Sequence, residues 1–316
     1  MPPPASLFTA HRGNAMASSA GFSKSPPEQQ HEFHFSKENF ARISRLIYER
    51  AGISLTSKKQ EMVYNRLSRR LRVLGLTSFN AYLDILIKGD NEEWSNFIGV
   101  LTTHLTSFFR ENYHFPILAK HMAERSAMGK VLLWSCAAST GEEPYSMAIT
   151  AAEQFNSMCP PVSILATDVD IGVLEIARNG VYPLERVRNL PDRIVRRYFL
   201  RGSGMHEGFV KVRPELQQMI TFKPLNLLDL VWPIQEGLDA IFCRNVMIYF
   251  DRATQRRVLA HCVQHLKPDG LFFAGHSENL YHAADLLDSC GNTVYCPRLT
   301  QQSIIPSSRF TEAMYV

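Results

Sequence analysis

Residues 131–149, VLLWSCAASTGEEPYSMAI, decide the fold of this 316-residue chain. The stretch begins as a nearly unbroken apolar run, the pattern of a strand covered on both faces rather than the alternation of a half-exposed one. Small residues follow from Ala137 to Gly141, where a tight strand-to-helix turn needs them and where a ligand can approach the backbone. Glu142, Glu143 and Pro144 then open a segment with helical spacing, and Pro suits the first turn of a helix.

Four more runs repeat the pattern downstream: SILATD (163–168), MITFKPLN (219–226), LDAIFCRN (238–245) and GLFFAG (270–275). Between them lie stretches of 3.6-residue periodicity such as GVLEIARNG and ATQRRVLAHCVQHL. Strands alternating with helices give a parallel α/β sheet of the Rossmann-like kind. The alternation breaks over residues 184–219, where a short helical piece, the Gly-rich RGSGMHEG and the alternating FVKVR predict an inserted antiparallel β subdomain. Upstream, apolar residues at helical spacing (Phe40, Ile43, Ile47; Met62, Val63, Leu67, Leu71; Phe79, Tyr82, Leu83, Leu86) predict a small all-α domain over 31–105, with Ser36 capping its first helix. Residues 1–30 read as a disordered leader and 301–316 as a tail.

Composition narrows the function. A net charge of +4 is too mild to announce a nucleic-acid binder, and no uncharged apolar run of eighteen residues occurs, so neither membrane insertion nor secretion is indicated and the cytoplasm is expected. The six cysteines (136, 159, 243, 262, 290 and 296) show no CxxC or metal-ligand spacing and read as buried or idle thiols, with no metal expected. Charge is concentrated at Lys58, Lys59, Arg66, Arg69, Arg70 and Arg72, which is either a solvated helix face or a docking surface for an acidic partner.

Open parallel sheets bind ligands beyond the carboxyl ends of their strands. At the first tip, two carboxylates would repel a pyrophosphate, whereas the ammonium and sulfonium of S-adenosylmethionine (SAM) would be attracted. Glu142 and Glu143 are therefore both candidates for that contact. Asp168 ends the second run, where an acid can hold a ribose diol. Asn226 and Asn245 end the next two, and side-chain amides there suit adenine edges or a substrate backbone.

The strings LTTHLTSFFREN (101–112), SCAASTGEEPYSMAI, ATDVDIGVLEIARNGVY, FLRGSGMHEGFVKVRPEL, FCRNVMIYFD and LKPDGLFFAGHSENL closely resemble the CheR-type chemotaxis receptor glutamate O-methyltransferases, in that family's order, from about residue 33 to 298. The resemblance implies a class I methyltransferase domain over 106–300 that moves a methyl group from SAM to glutamate side chains of chemoreceptors, leaving S-adenosylhomocysteine (SAH). It places Arg110 and Tyr249 beside the methyl group, and Thr106, Glu142, Glu143, Asp168, Asn226 with Leu227, and Asn245 with Val246 around the cofactor. His104 stands where family members commonly have Asn, which makes cofactor affinity pH-sensitive near neutrality. Arg66, Arg69 and Arg70 would meet the acidic receptor helices. Gly202, Gly204 and Gly208 lie in an insertion that resembles those members that also dock a short peptide at the receptor C-terminus.

Three other readings compete. A nicotinamide-dependent oxidoreductase requires an acid-free Gly-rich first turn, which is absent. A methyltransferase acting on RNA predicts a basic, aromatic-studded groove and often an appended RNA module, a reading that the basic helix leaves slightly open; another protein is a further alternative acceptor, and no nucleic acid is expected. A non-catalytic SAM or receptor sensor would be expected to have lost Arg110 or Tyr249, and both are present. The chain is expected to act as a monomer.

Overall fold

The computed structural model describes residues 31–298 apart from Asp90 and Thr103. The expected leader and tail lie outside the described residues. The helical part consists of α1 (Lys37–Ala51), α2 (Gln60–Val73), α3 (Phe79–Ile87) and α4 (Asn91–Leu101). Ser36 caps α1 reciprocally: its Oγ accepts the Asn39 N–H at 3.2 Å and its own N–H donates to Asn39 Oδ1 at 3.1 Å. Ile43, Ile47, Leu67, Leu71, Tyr82, Leu83 and Phe97 close a separate apolar core.

The rest of the chain runs α5 (His114–Ser126), β1 (Val131–Ser135), α6 (Glu142–Gln154), β2 (Val162–Asp168), α7 (Ile171–Asn179), β3 (Val181–Pro183), α8 (Asp192–Tyr198), β4 (Phe199–Arg201), β5 (Phe209–Val212), α9 (Pro214–Gln217), β6 (Ile220–Pro224), β7 (Leu238–Cys243), α10 (Arg252–His265), β8 (Leu266–Ala274), β9 (Leu287–Gly291) and β10 (Val294–Pro297). From Phe33 onward these elements belong to one compact unit.

Seven strands form the main sheet in the order β6-β2-β1-β7-β8-β10-β9. The five runs identified by sequence are its parallel strands β1, β2, β6, β7 and β8. Successive side chains point to opposite faces, so Leu133 joins one apolar cluster with α5 and α6 while Trp134 joins another with α10. The chain winds outward from β1 in both directions, which puts the topological switch between β1 and β7.

Three findings extend or correct the sequence reading. The inserted sheet, in the order β3-β5-β4, is antiparallel as expected, but its first strand begins at Val181, three residues before the expected boundary. The main sheet carries an antiparallel hairpin, β9–β10, that its polar sequence did not announce. Cys290 and Cys296, expected as thiols, are joined as a disulfide across that hairpin.

Candidate active site

The cavity lies above the carboxyl ends of β1, β2, β6 and β7, and its wall contains residues from each tip: Cys136 and Ser139, Asp168, Leu225 to Leu227, and Arg244 to Val246. The loop after α4 closes one side with His104, Thr106 and Arg110, while Ala51 and Ile53 of the helical part close another. Tyr249 stands on the same wall. Every cofactor or catalytic position expected from sequence borders this cavity except Glu142.

The turn after β1 explains that exception. Ser139 at φ 50° and Gly141 at φ 99° are left-handed, and a Cβ at Gly141 would come within 2.8 Å of both Ala177 Cβ and Tyr182 Oη. The helix that follows aims its first two carboxylates apart. Glu143 faces the cavity, accepts the Ser135 hydroxyl at 2.7 Å and pairs with Arg244 at 2.9 Å. Burial pushes its carboxyl up, against the pull of the Arg244 charge. Glu142 turns away to the Thr140 hydroxyl at 2.6 Å and to Arg186, 3.3 Å distant.

Asp168 receives the Ser139 N–H at 2.9 Å and the Asp170 N–H at 3.0 Å. Burial nonetheless raises its pKa above the usual carboxylate range. Asp170 caps α7 through Gly172 and Val173 and holds His104 Nε2 at 3.1 Å. Burial opposes a charge on His104, but the Asp170 bond and the fields of Asp168 and Asp170 outweigh it and raise its pKa. The Asn226 amide is partly engaged, donating to Arg50 O at 2.7 Å and accepting the Leu228 N–H at 3.0 Å.

Several determinants escaped sequence reasoning. Arg244, 4% exposed, bridges Glu143 and Glu111 (3.1 Å) and donates to the Arg110 carbonyl at 2.5 Å, so it ties the first strand tip to the Arg110 loop. Phe109 and Glu111, both at φ 53°, flank Arg110 in left-handed conformations that non-glycine residues rarely adopt. Glu278, also buried, accepts N–H bonds from Asn245, Met247 and Gly275, and so clamps the turn that delivers Tyr249. A Cβ at Gly275 would lie 2.5 Å from Asn245 Nδ2. The available signals were a cation directly after an all-buried strand, in CRN, and an acid just past another strand, in GHSE. From the helical part, the Ser54 N–H donates to the Tyr249 carbonyl at 2.9 Å and Lys59 Nζ sits 5.5 Å from the Tyr249 ring centre.

The expected receptor-facing residues divide. Arg66 donates to the carbonyls of Val100, Leu101 and Thr102, capping α4 where the cavity loop begins. Arg70 is bonded to Glu93, which also takes the Tyr82 hydroxyl at 2.7 Å. Arg69 is exposed on α2. Gly202, Gly204 and Gly208 all lie between β4 and β5, remote in sequence from the strand tips. A Cβ at Gly202 would collide with the His206 carbonyl, and Gly204 and Gly208 have positive φ, so all three shape the turn.

The donor set fits SAM: carboxylates at two adjacent tips for its hydroxyl and ammonium groups, and Leu225, Leu227, Val246 and Phe250 for an apolar ring. Among known families, the model of the CheR methyltransferase SAM-binding domain matches residues 104–296, and that of the CheR methyltransferase all-alpha domain matches 38–102. The chain is 51% identical over 274 residues to chemotaxis protein methyltransferase 2 of Pseudomonas aeruginosa, covering 86% of this chain and 98% of that one. It is 52% identical to the chemotaxis protein methyltransferase of Escherichia coli over 261 residues, 82% of this chain and 91% of the relative. For the Salmonella typhimurium counterpart the identity is 51%, with 82% and 90% covered.

Proposed function

We propose, from the premise that this chain belongs to the CheR methyltransferase family and is a SAM-dependent methyltransferase of chemotaxis, that Arg110 and Tyr249 present a chemoreceptor glutamate to the methyl donor. The observation that carries this is their position on the wall of the cavity that Glu143 and Asp168 also line. In this reading His104, Thr106, Glu143, Asp168, Asn226, Leu227, Asn245 and Val246 hold the cofactor, while Glu142 supports the turn through Thr140 and Arg186. SAM supplies an electrophilic methyl group.

A glutamate has a pKa of about 4.3, so at neutral pH it is ionised roughly 500-fold over its protonated form. No base is needed to make the nucleophile. What limits it is hydration, and the protein's task is to strip water from the carboxylate and hold it in line. Arg110 orients the anion by charge-assisted hydrogen bonds, and the Tyr249 phenol holds one oxygen without removing electron density as a proton would. Arg244, Glu278 and Ser54 fix the backbones that carry these two side chains.

Arg69 with Lys58 and Lys59 supplies the basic surface for an acidic receptor helix. The outer edge of β4 or β3 accepts a C-terminal receptor peptide by strand addition, and tethering raises the local enzyme concentration. Deleting residues 202–208 abolishes peptide binding on this reading, and retained binding ends it. The enzyme acts as a monomer without nucleic acid. No helix among the described residues is long and apolar enough to cross a membrane, and we place the chain in the cytoplasm.

The central test is incubation with radiolabelled SAM and receptor membranes. Label that is released by alkali marks a carboxylate ester, and alkali-stable label refutes the proposed acceptor. Tyr249→Phe should lower kcat roughly 100-fold with the Kd for SAM little changed. An unaltered kcat removes Tyr249 from the reaction.

A further inference from the structure

Beneath the cavity, three cysteines distant in sequence converge. Cys136 follows β1, Cys243 ends β7 and Cys262 lies on α10, and their three Sγ atoms are all within 4.8 Å of one another. All three are buried, at 2%, 0% and 0% exposure, among Trp134, Ile241, Leu259 and Phe272. They come from two adjacent strands of the sheet and from a helix packed on the same face, so the backbone fixes their spacing independently of any ligand. Methyl transfer as derived above uses none of these thiols.

We propose that Cys136, Cys243 and Cys262 form a binding site for one soft monovalent metal cation of the Cu(I) class. Three sulfur donors, with no histidine or carboxylate atom in the group among the described residues, select a thiophilic ion over a hard one. Zinc in a structural site requires a fourth ligand, and the group supplies three. Each sulfur that bonds to the cation gives up its proton to solvent, because the thiolate and not the thiol is the ligand. No electron changes hands.

Cys136 is the triad's contact with the cofactor cavity, since it lines that wall. The ion therefore enters through the cavity, and a bound nucleoside blocks it. This second statement rests on the cofactor reading above, whereas the site itself does not.

The experiment uses the full chain carrying Cys159→Ser, Cys290→Ser and Cys296→Ser, so that only the triad thiols remain. Anaerobic titration of Cu(I) against a chromogenic chelator should give one ion per chain, and X-ray absorption should find three sulfurs around it. Cys243→Ser and Cys262→Ser should each weaken binding at least tenfold. Uptake unchanged by both substitutions, coordination by nitrogen or oxygen, or no uptake overturns the site. The sulfur count is made on the intact triad, so a variant that fails to fold does not blunt the test. Saturating SAH should slow uptake at least tenfold. Uptake indifferent to SAH, with SAH binding verified by calorimetry, overturns the entry route, whereas SAH that does not bind overturns the cofactor reading alone.

Discussion

The rim of the parallel sheet and the basic face of α2 are both rich in charge, yet the fold uses them in opposite ways. At the rim, the half-buried Glu143 and the buried Asp168 are carboxylates held against an open cavity. On α2, two of the three arginines expected to face a partner turn inward, Arg66 to the end of α4 and Arg70 to Glu93. Strand tips are forced into the ligand site by topology, because every parallel strand ends on the same edge. A helix offers its side chains to several neighbours at once, so a run of cations along it does not identify their partners.

Removing Arg244 is the sharpest way to break that contrast. Arg244→Met leaves the half-buried Glu111 and Glu143 without their shared cation, and should cost about 3 kcal/mol of stability together with most SAM affinity. Chemical denaturation measures it, and a loss below about 1 kcal/mol would mean that the rim network is dispensable. Arg66→Ala should cost about 1.5–3 kcal/mol, as charged hydrogen bonds to backbone do, and should weaken SAM binding through the His104–Thr106 loop. Weakened receptor binding with SAM affinity intact would instead return Arg66 to the docking face.

His104 gives a smaller, pH-dependent effect. Because its folded pKa is raised, the stability from its pairing with Asp170 is fully present below about pH 6.5 and is lost as pH rises through the folded value. Over the same window its positive charge, which opposes that of SAM near Asp168, disappears, so SAM affinity should rise. His104→Asn should flatten both profiles. A wild-type affinity that stays level between about pH 5.5 and 8 would refute the coupling. The smallest effect belongs to Arg69→Ala, which should shift stability by less than about 0.5 kcal/mol while raising the KM for receptor a few-fold. An unchanged KM would leave α2 without a docking role.

How far the sequence could be read depends on where each residue's partner lies. The parallel strands were legible because double-sided burial leaves apolar runs, and the Ser36 cap because its partner is three residues away. Glu142 and Glu143 could not be separated. Neighbouring helical residues point about 100° apart, and the rotation of α6 is set by the Gly141 contact with α7, which is invisible locally. Arg244 and Glu278 were missed because their partners sit on other elements, at residues 111, 143, 245 and 247. The β9–β10 hairpin lacked an apolar signature: Leu287 alone of its first strand is buried.

The bonds from Ser54 to Tyr249 and from Asn226 to Arg50, with Lys59 over the Tyr249 ring, constrain how the gene can be cut. A chimera that joins the α1–α4 segment of one relative to the sheet of another exchanges part of the support of the cavity wall along with α2. Residues 50–59 should therefore travel with the sheet in any specificity transplant. Exchanging only residues 60–102 keeps Tyr249 in its native setting, whereas a single junction near residue 103 replaces its neighbours.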